Sequence, residues 1–193
     1  MGYSRRSAGQ VRKMRGEGVM RNFICYGLSL LLGIFYVYLL ISGIDPEVPL
    51  EYKMYYIDHT LMDWPGYDGL QYESGEKLNF CRISKDPNRV RRRGQGWEEL
   101  TSSGCGWTQE QANLYFSELE KKEYVLEASL VDLKGDIFII ANQTKLGLLL
   151  LEQDGVYRIK IPAECITENG WLTLSLCLQP YSSDTMLKQL VLH

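Results

Sequence analysis

An all-β sandwich or jelly-roll ectodomain preceded by a single N-terminal transmembrane α-helix is the fold class this chain predicts, and three features predict it. Residues 23–44 form an uncharged, proline-free run, FICYGLSLLLGIFYVYLLISGI. From about residue 70 onward, apolar residues recur at every second position in several short runs, as expected of half-buried strands. Between those runs stand Lys134-Gly135, Asp154-Gly155, Asn169-Gly170 and Pro180, and Asp-Gly and Asn-Gly pairs favour tight turns because both residues tolerate positive φ.

The apolar run comes first. Its 22 residues, at about 1.5 Å each in a helix, match a hydrocarbon core of roughly 30 Å. It is longer than the h-region of a secretory signal, and the residues at its end, Ile41, Ser42, Gly43 and Ile44, make no small-residue cleavage site, so an uncleaved anchor is expected. Ahead of it lie Arg5, Arg6, Arg12, Lys13, Arg15 and Arg21 against Glu17 alone. Lys and Arg in short flanking segments stay on the cytoplasmic side, which predicts a basic inner tail over 1–22 and an extracytoplasmic remainder. That remainder holds 15 of the chain's 21 basic residues and 23 of its 24 acids. Nucleic acid is not an expected partner for a domain so acidic.

Residues 45–69 carry Tyr52, Tyr55, Tyr56, Trp64, Pro65 and Tyr67 without periodicity, which suggests a Tyr/Pro-rich stalk packed partly on the following domain. The sandwich is expected over 70–193. Within it, Tyr124, Leu126, Ala128 and Leu130 alternate with polar or smaller residues, as do Tyr157, Ile159 and Ile161. Leu172, Leu174, Leu176 and Leu178 give the cleanest period of two. Asp136–Ala141 is apolar at nearly every position and predicts a central strand covered on both sides. Further runs at 76–80, 112–116, 146–151 and 187–192 bring the count to seven or eight strands. A domain of this length can hold one self-sufficient core.

Cys81, Cys105, Cys165 and Cys177 fall in the expected outer portion, where disulfides persist; three pairings or four buried thiols are all compatible with the spacing. No Cys-x-x-Cys pair is present and His59 and His193 are far apart, so no metal site is expected, and no cofactor. Catalytic triads lack a usable histidine. Glu98, Glu99 and Glu110 flank two tryptophans, but the adjacent pair would point to opposite faces of a strand, so the reading is a protein without catalysis. The basic run Arg89, Arg91, Arg92 and Arg93 suits either an anion or a solvated loop. Trp97, Trp107 and Tyr115 offer flat aromatic faces for a sugar ring, with Asn142 and Gln143 as nearby hydrogen-bonding groups. The alternative for Trp97 and Trp107 is that they fill the core.

One ordered set of motifs spans this region. Gly96-Trp97 is followed by Gly106-Cys105-flanked Trp107-Thr108, then Ala112, Asn142, the Tyr157-x-Ile159-x-Ile161-Pro162 strand, and Leu172-x-Leu174 leading to Pro180. In this order the chain resembles the small extracytoplasmic β-sandwich module found at the C-terminus of bacterial membrane glycosyltransferase-like and cell-envelope glycan proteins. The resemblance covers roughly 75–192. It implies a jelly-roll-like fold and a non-catalytic accessory or saccharide-binding role in envelope-glycan assembly or modification. That module usually follows many membrane spans, whereas one is present here, so the resemblance also implies a separate polytopic envelope-glycan enzyme as partner. A structural or assembly subunit of a membrane complex, with no sugar site, is the other reading.

Overall fold

The computed structural model describes residues 8–44, 48–66, 69–82, 90–152 and 154–193, with side chains from Asn22 onward. Arg5 and Arg6 of the basic tail, Asp45 to Glu47 and Tyr67 of the expected stalk, and Arg89 of the basic run lie outside the described residues. The chain divides into two compact units, Met1–Val48 and Pro49–His193. In the first, a helix α1 runs over Ala8–Ile44, so the basic segment from residue 8 continues the helical backbone of the apolar run. Its portion Asn22–Ile44 has a mean hydropathy of 2.2 and buries none of its side chains, and it is long and apolar enough to cross a membrane.

The second unit is a sandwich of two antiparallel sheets. Its strands are β1 (Leu78–Asn79), β2 (Gln111–Phe116), β3 (Tyr124–Val131), β4 (Asp136–Ala141), β5 (Thr144–Leu148), β6 (Leu150–Leu151), β7 (Tyr157–Ile161), β8 (Leu172–Gln179) and β9 (Met186–Leu192). One sheet has the order β1-β9-β3-β7-β6 and the other β2-β8-β4-β5. Period-two patterning decides what each sheet buries. Ala112, Leu114 and Phe116 of β2, Ile137, Ile139 and Ala141 of β4, and all four leucines of β8 point inward. Tyr124, Leu126 and Ala128 of β3 and Leu187, Leu190 and Leu192 of β9 meet them from the other sheet. Each fully buried leucine contributes about 2 kcal/mol by apolar transfer.

Two expectations change. Strand β4 is covered on one face only, because Phe138 and Ile140 remain partly open on the outer side. The run 146–151 is two strands in different sheets: β5 pairs with β4 and β6 with β7, Leu149 between them is buried, and Leu148, Leu150 and Leu151 are exposed. The stalk is woven into the sandwich. Met54, Leu61 and Leu70 form a buried cluster against which Tyr55, Tyr115 and Trp171 pack. Leu61 bridges Gly94, Arg93 bridges Leu114 of β2, and the Met62 amide donates to the Arg93 carbonyl at 2.9 Å, so the four-stranded sheet gains short extra ladders at its β2 edge.

Cys81, Cys105, Cys165 and Cys177 are free thiols, which resolves the alternatives left by their spacing. On the outer face of the five-stranded sheet, Glu127 of β3 stands opposite Arg158 of β7 and accepts from its Nε at 2.6 Å, with His193 Nε2 at 3.2 Å from its other oxygen. The Arg158 bond is the main reason that the Glu127 carboxyl lies below its ordinary value of 4.5. A carboxyl depressed in the folded state contributes stability that is present above the unfolded pKa and lost as pH falls through the folded one. Thermal melts from pH 6 down to about pH 3 should therefore fall less steeply for Glu127→Gln than for the native chain; parallel curves would exclude this linkage.

Candidate functional site

The outer face of the four-stranded sheet is built from the residues that the alternation leaves outside. Gln111, Asn113 and Tyr115 project from β2, Thr173 and Ser175 from β8, and Ile140 from β4, since their neighbours in sequence fill the core. Register brings them into rows. Asn113 and Ile140 both face Ser175, and Tyr115 faces Thr173. All of these except Tyr115, together with Asn142, Gln143 and Thr167, line a groove of about 610 Å³, within the range of small-ligand sites. Gln111, Asn113, Ile140, Asn142, Gln143, Thr167, Thr173 and Ser175 supply its whole lining, and none of these side chains is charged.

Hydrogen bonding pre-orders the floor. Ser175 Oγ donates to Asn113 Oδ1 at 2.7 Å, and Gln111 Nε2 donates to Asn113 Oδ1 at 3.0 Å and Ser175 Oγ at 3.2 Å. These contacts occupy the Asn113 carbonyl oxygen and leave its amide N–H groups without a partner among the described residues. At one end Tyr115 and Trp171 lie with ring centroids 5.9 Å apart and planes 30° from parallel, and Trp171 Nε1 donates to Thr173 Oγ1 at 3.0 Å. Partial burial raises the Tyr115 phenol above its ordinary value.

The five residues singled out from sequence meet different fates. Trp97 and Trp107 offer no stacking face: they are 1% and 0% exposed and belong to the main core. Their rings pack at 5.1 Å, with Phe80 5.4 Å from Trp97. Trp97 Nε1 donates to the Asn113 carbonyl and Trp107 Nε1 to that of Leu176, so each indole is satisfied inside. Gly96, at φ +97, makes this possible, because a Cβ there would meet the Gln111 carbonyl oxygen at 2.0 Å.

Asn142 and Gln143, with φ of 43° and 71°, form the two-residue turn of the β4–β5 hairpin, a geometry with positive φ at both central positions. The Asn142 amide is committed to the fold. Its Nδ2 donates to the Cys165 and Trp171 carbonyls at 2.7 and 2.9 Å, and its Oδ1 accepts from the Thr173 amide at 2.8 Å. Its role at the groove is to position Trp171 and the turn. Gln143 is exposed at the rim and Tyr115 half-buried. The groove also holds Gln111, Asn113, Thr173, Ser175 and neighbouring Trp171, which the sequence reading did not single out.

The basic run is likewise reassigned. Arg92 and Arg93 are 5% and 3% exposed. Arg92 lies 5.3 Å from the ring centroids of both Tyr72 and Phe116 and donates to the Leu70 and Gln71 carbonyls. Arg93 pairs with Asp63 at 2.6 Å and donates to the Glu98 carbonyl at 2.7 Å. Both are structural cations, while Arg91 is exposed.

No protein-family model and no curated protein sequence matches the chain. Among solved structures, the CBM36-1 domain of a multidomain xylanase from the hindgut metagenome of Trinervitermes trinervoides overlays at 7% identity, covering 62% of this chain and 97% of that one with a TM-score of 0.35. Likeness at this level supports no functional argument, and the reading below rests on the groove itself.

Proposed function

We propose that this chain is a membrane-anchored, non-catalytic saccharide-binding protein of the bacterial cell envelope. In this reading its N-terminus is cytoplasmic, its sandwich lies outside the membrane, and it assists a polytopic enzyme of envelope-glycan assembly or modification. The observation that carries it is the groove on the four-stranded sheet, uncharged, lined by amide and hydroxyl groups and flanked by the Tyr115–Trp171 pair. Vicinal hydroxyls of a sugar match amide and hydroxyl partners, and the apolar face of a pyranose matches an aromatic ring. The lining lacks the carboxylate pair that glycoside hydrolysis requires, so binding without cleavage is the chemistry it supports.

The test is retention of the full chain, in nanodiscs, on an array of neutral and acidic bacterial envelope oligosaccharides. Neutral oligosaccharides should be retained. Gln111→Ala/Gln143→Ala should weaken that retention about 30-fold, two lost hydrogen bonds at roughly 1 kcal/mol each. Both residues are exposed, so the melting temperature should barely move. Equal retention by the double variant would refute the groove as the site. The second reading, an assembly subunit with no sugar site, draws on the exposed Leu148, Leu150 and Leu151 where β5 and β6 meet; it gains if no oligosaccharide is retained and a membrane enzyme co-purifies.

A further inference from the structure

The opening segment of the second unit has two unlike faces. Met54, Leu61 and Leu70 turn inward to a buried cluster, whereas Leu50, Tyr52, Tyr56, Ile57 and Met62 are 48%, 37%, 50%, 45% and 40% exposed. The exposed side is not a scatter of single residues. Exposed Tyr52 and Tyr56 touch the half-buried rings of Tyr55 and Trp64, with centroids 4.7 Å apart for Tyr52–Tyr56 and 5.4 Å for Tyr56–Trp64. Exposed apolar clusters of this kind mark a surface that meets another phase or partner.

We propose that this face is a bilayer-docking surface, seated among the lipid headgroups of the membrane in which Asn22–Ile44 is anchored. Two observations select lipid over protein. Only residues 45–49 separate Ile44 from Leu50, and whatever conformation they take, six peptide steps reach no further than about 20 Å. Leu50, where the face begins, therefore stays within about 20 Å of Ile44. Its composition, two exposed tyrosines amid aliphatic residues with half-buried Tyr55 and Trp64 beside them, is that of the interfacial aromatic belt, where ring edges stay hydrated and ring bodies leave water. Glu51, Lys53 and Asp58 of the same segment give mixed charge, so the attraction is apolar and not dependent on anionic lipid.

The inference rests on the helix being a membrane span and is independent of the groove. Its test uses the full chain with Cys25, Cys81 and Cys177 replaced by alanine and one cysteine placed at Ile57→Cys or Lys188→Cys, labelled with nitrobenzoxadiazole. Lys188 is exposed on β9 of the other sheet. The protein is reconstituted into phosphatidylcholine vesicles carrying a headgroup spin label, and carbonate-resistant flotation first reports whether it is anchored. The label at 57 should be blue-shifted and quenched about threefold, with little quenching at 188. Equal quenching at the two positions in floated protein overturns the docking surface alone. Failure to float overturns it together with the anchor, while oligosaccharide retention on the array still reports separately on the groove.

Discussion

Trp107→Ala should lower the stability of the Pro49–His193 unit by about 4 kcal/mol, in the range of the largest core truncations. The indole is fully buried, packs on Trp97 at 5.1 Å and donates to the Leu176 carbonyl of β8. Truncation therefore opens a cavity, ends an aromatic contact and removes the indole's hydrogen bond to β8. For a unit of this size the melting temperature should fall by roughly 10 °C, read by near-UV circular dichroism of the detergent-solubilised chain. Trp107→Phe keeps most of the ring and should lose about half as much. A shift below about 3 °C for the alanine variant would mean that the site relaxes around the missing ring, and that the pair is not central to the core.

Asp63→Ala should cost about 3 kcal/mol, because it removes the carboxylate that, among the described residues, pairs with a cation buried to 3% exposure. The Asp63 carboxylate is itself 29% exposed, and water there places the loss at the lower end for a broken buried pair. The Arg93→Met change removes the stranded charge. The double variant should thus be more stable than the sum of the two single losses predicts, with a coupling of at least about 1 kcal/mol in a double-mutant cycle. Strict additivity would show that Asp63 and Arg93 are held by the surrounding chain and not by each other.

Where period-two patterning was strong, sequence and structure agree closely. The leucines of β8 and the alternation of β3 announced inward faces that the structure fills, and Asp154-Gly155 turns the β6–β7 hairpin with Gly155 at φ +80. Asn169-Gly170 and Lys134-Gly135 instead lie in connections that pass from one sheet to the other, a distinction that local turn chemistry does not encode. The tryptophans were ambiguous for a physical reason. Residues 96–108 make isolated bridges in place of a continuous strand, Trp97 with Trp107 and Cys105 with Leu187, so no periodicity says which way either ring points. Arg92 and Arg93 look like solvent in a line of arginines, and only the aromatic faces and carbonyls gathered from distant segments make them interior.

The groove was half legible. Asn113, Thr173 and Ser175 were outward members of strands already recognised, Gln111 stands one residue ahead of the expected run at 112–116, and Trp171 continues the outward set of β8 by two residues. What sequence lacked was the neighbour order β2-β8-β4 that lays those outward sets side by side.

The ties between residues 49–70 and the β2 edge bear on how this domain can be inherited or transplanted. A fragment cut where the alternation begins, near residue 70, leaves behind Met54, Leu61 and the carboxylate of Asp63, and bares Tyr115 and Trp171 on the side where they now pack. The portable piece is Pro49–His193, and a new anchor joined to it takes the aromatic face along as well.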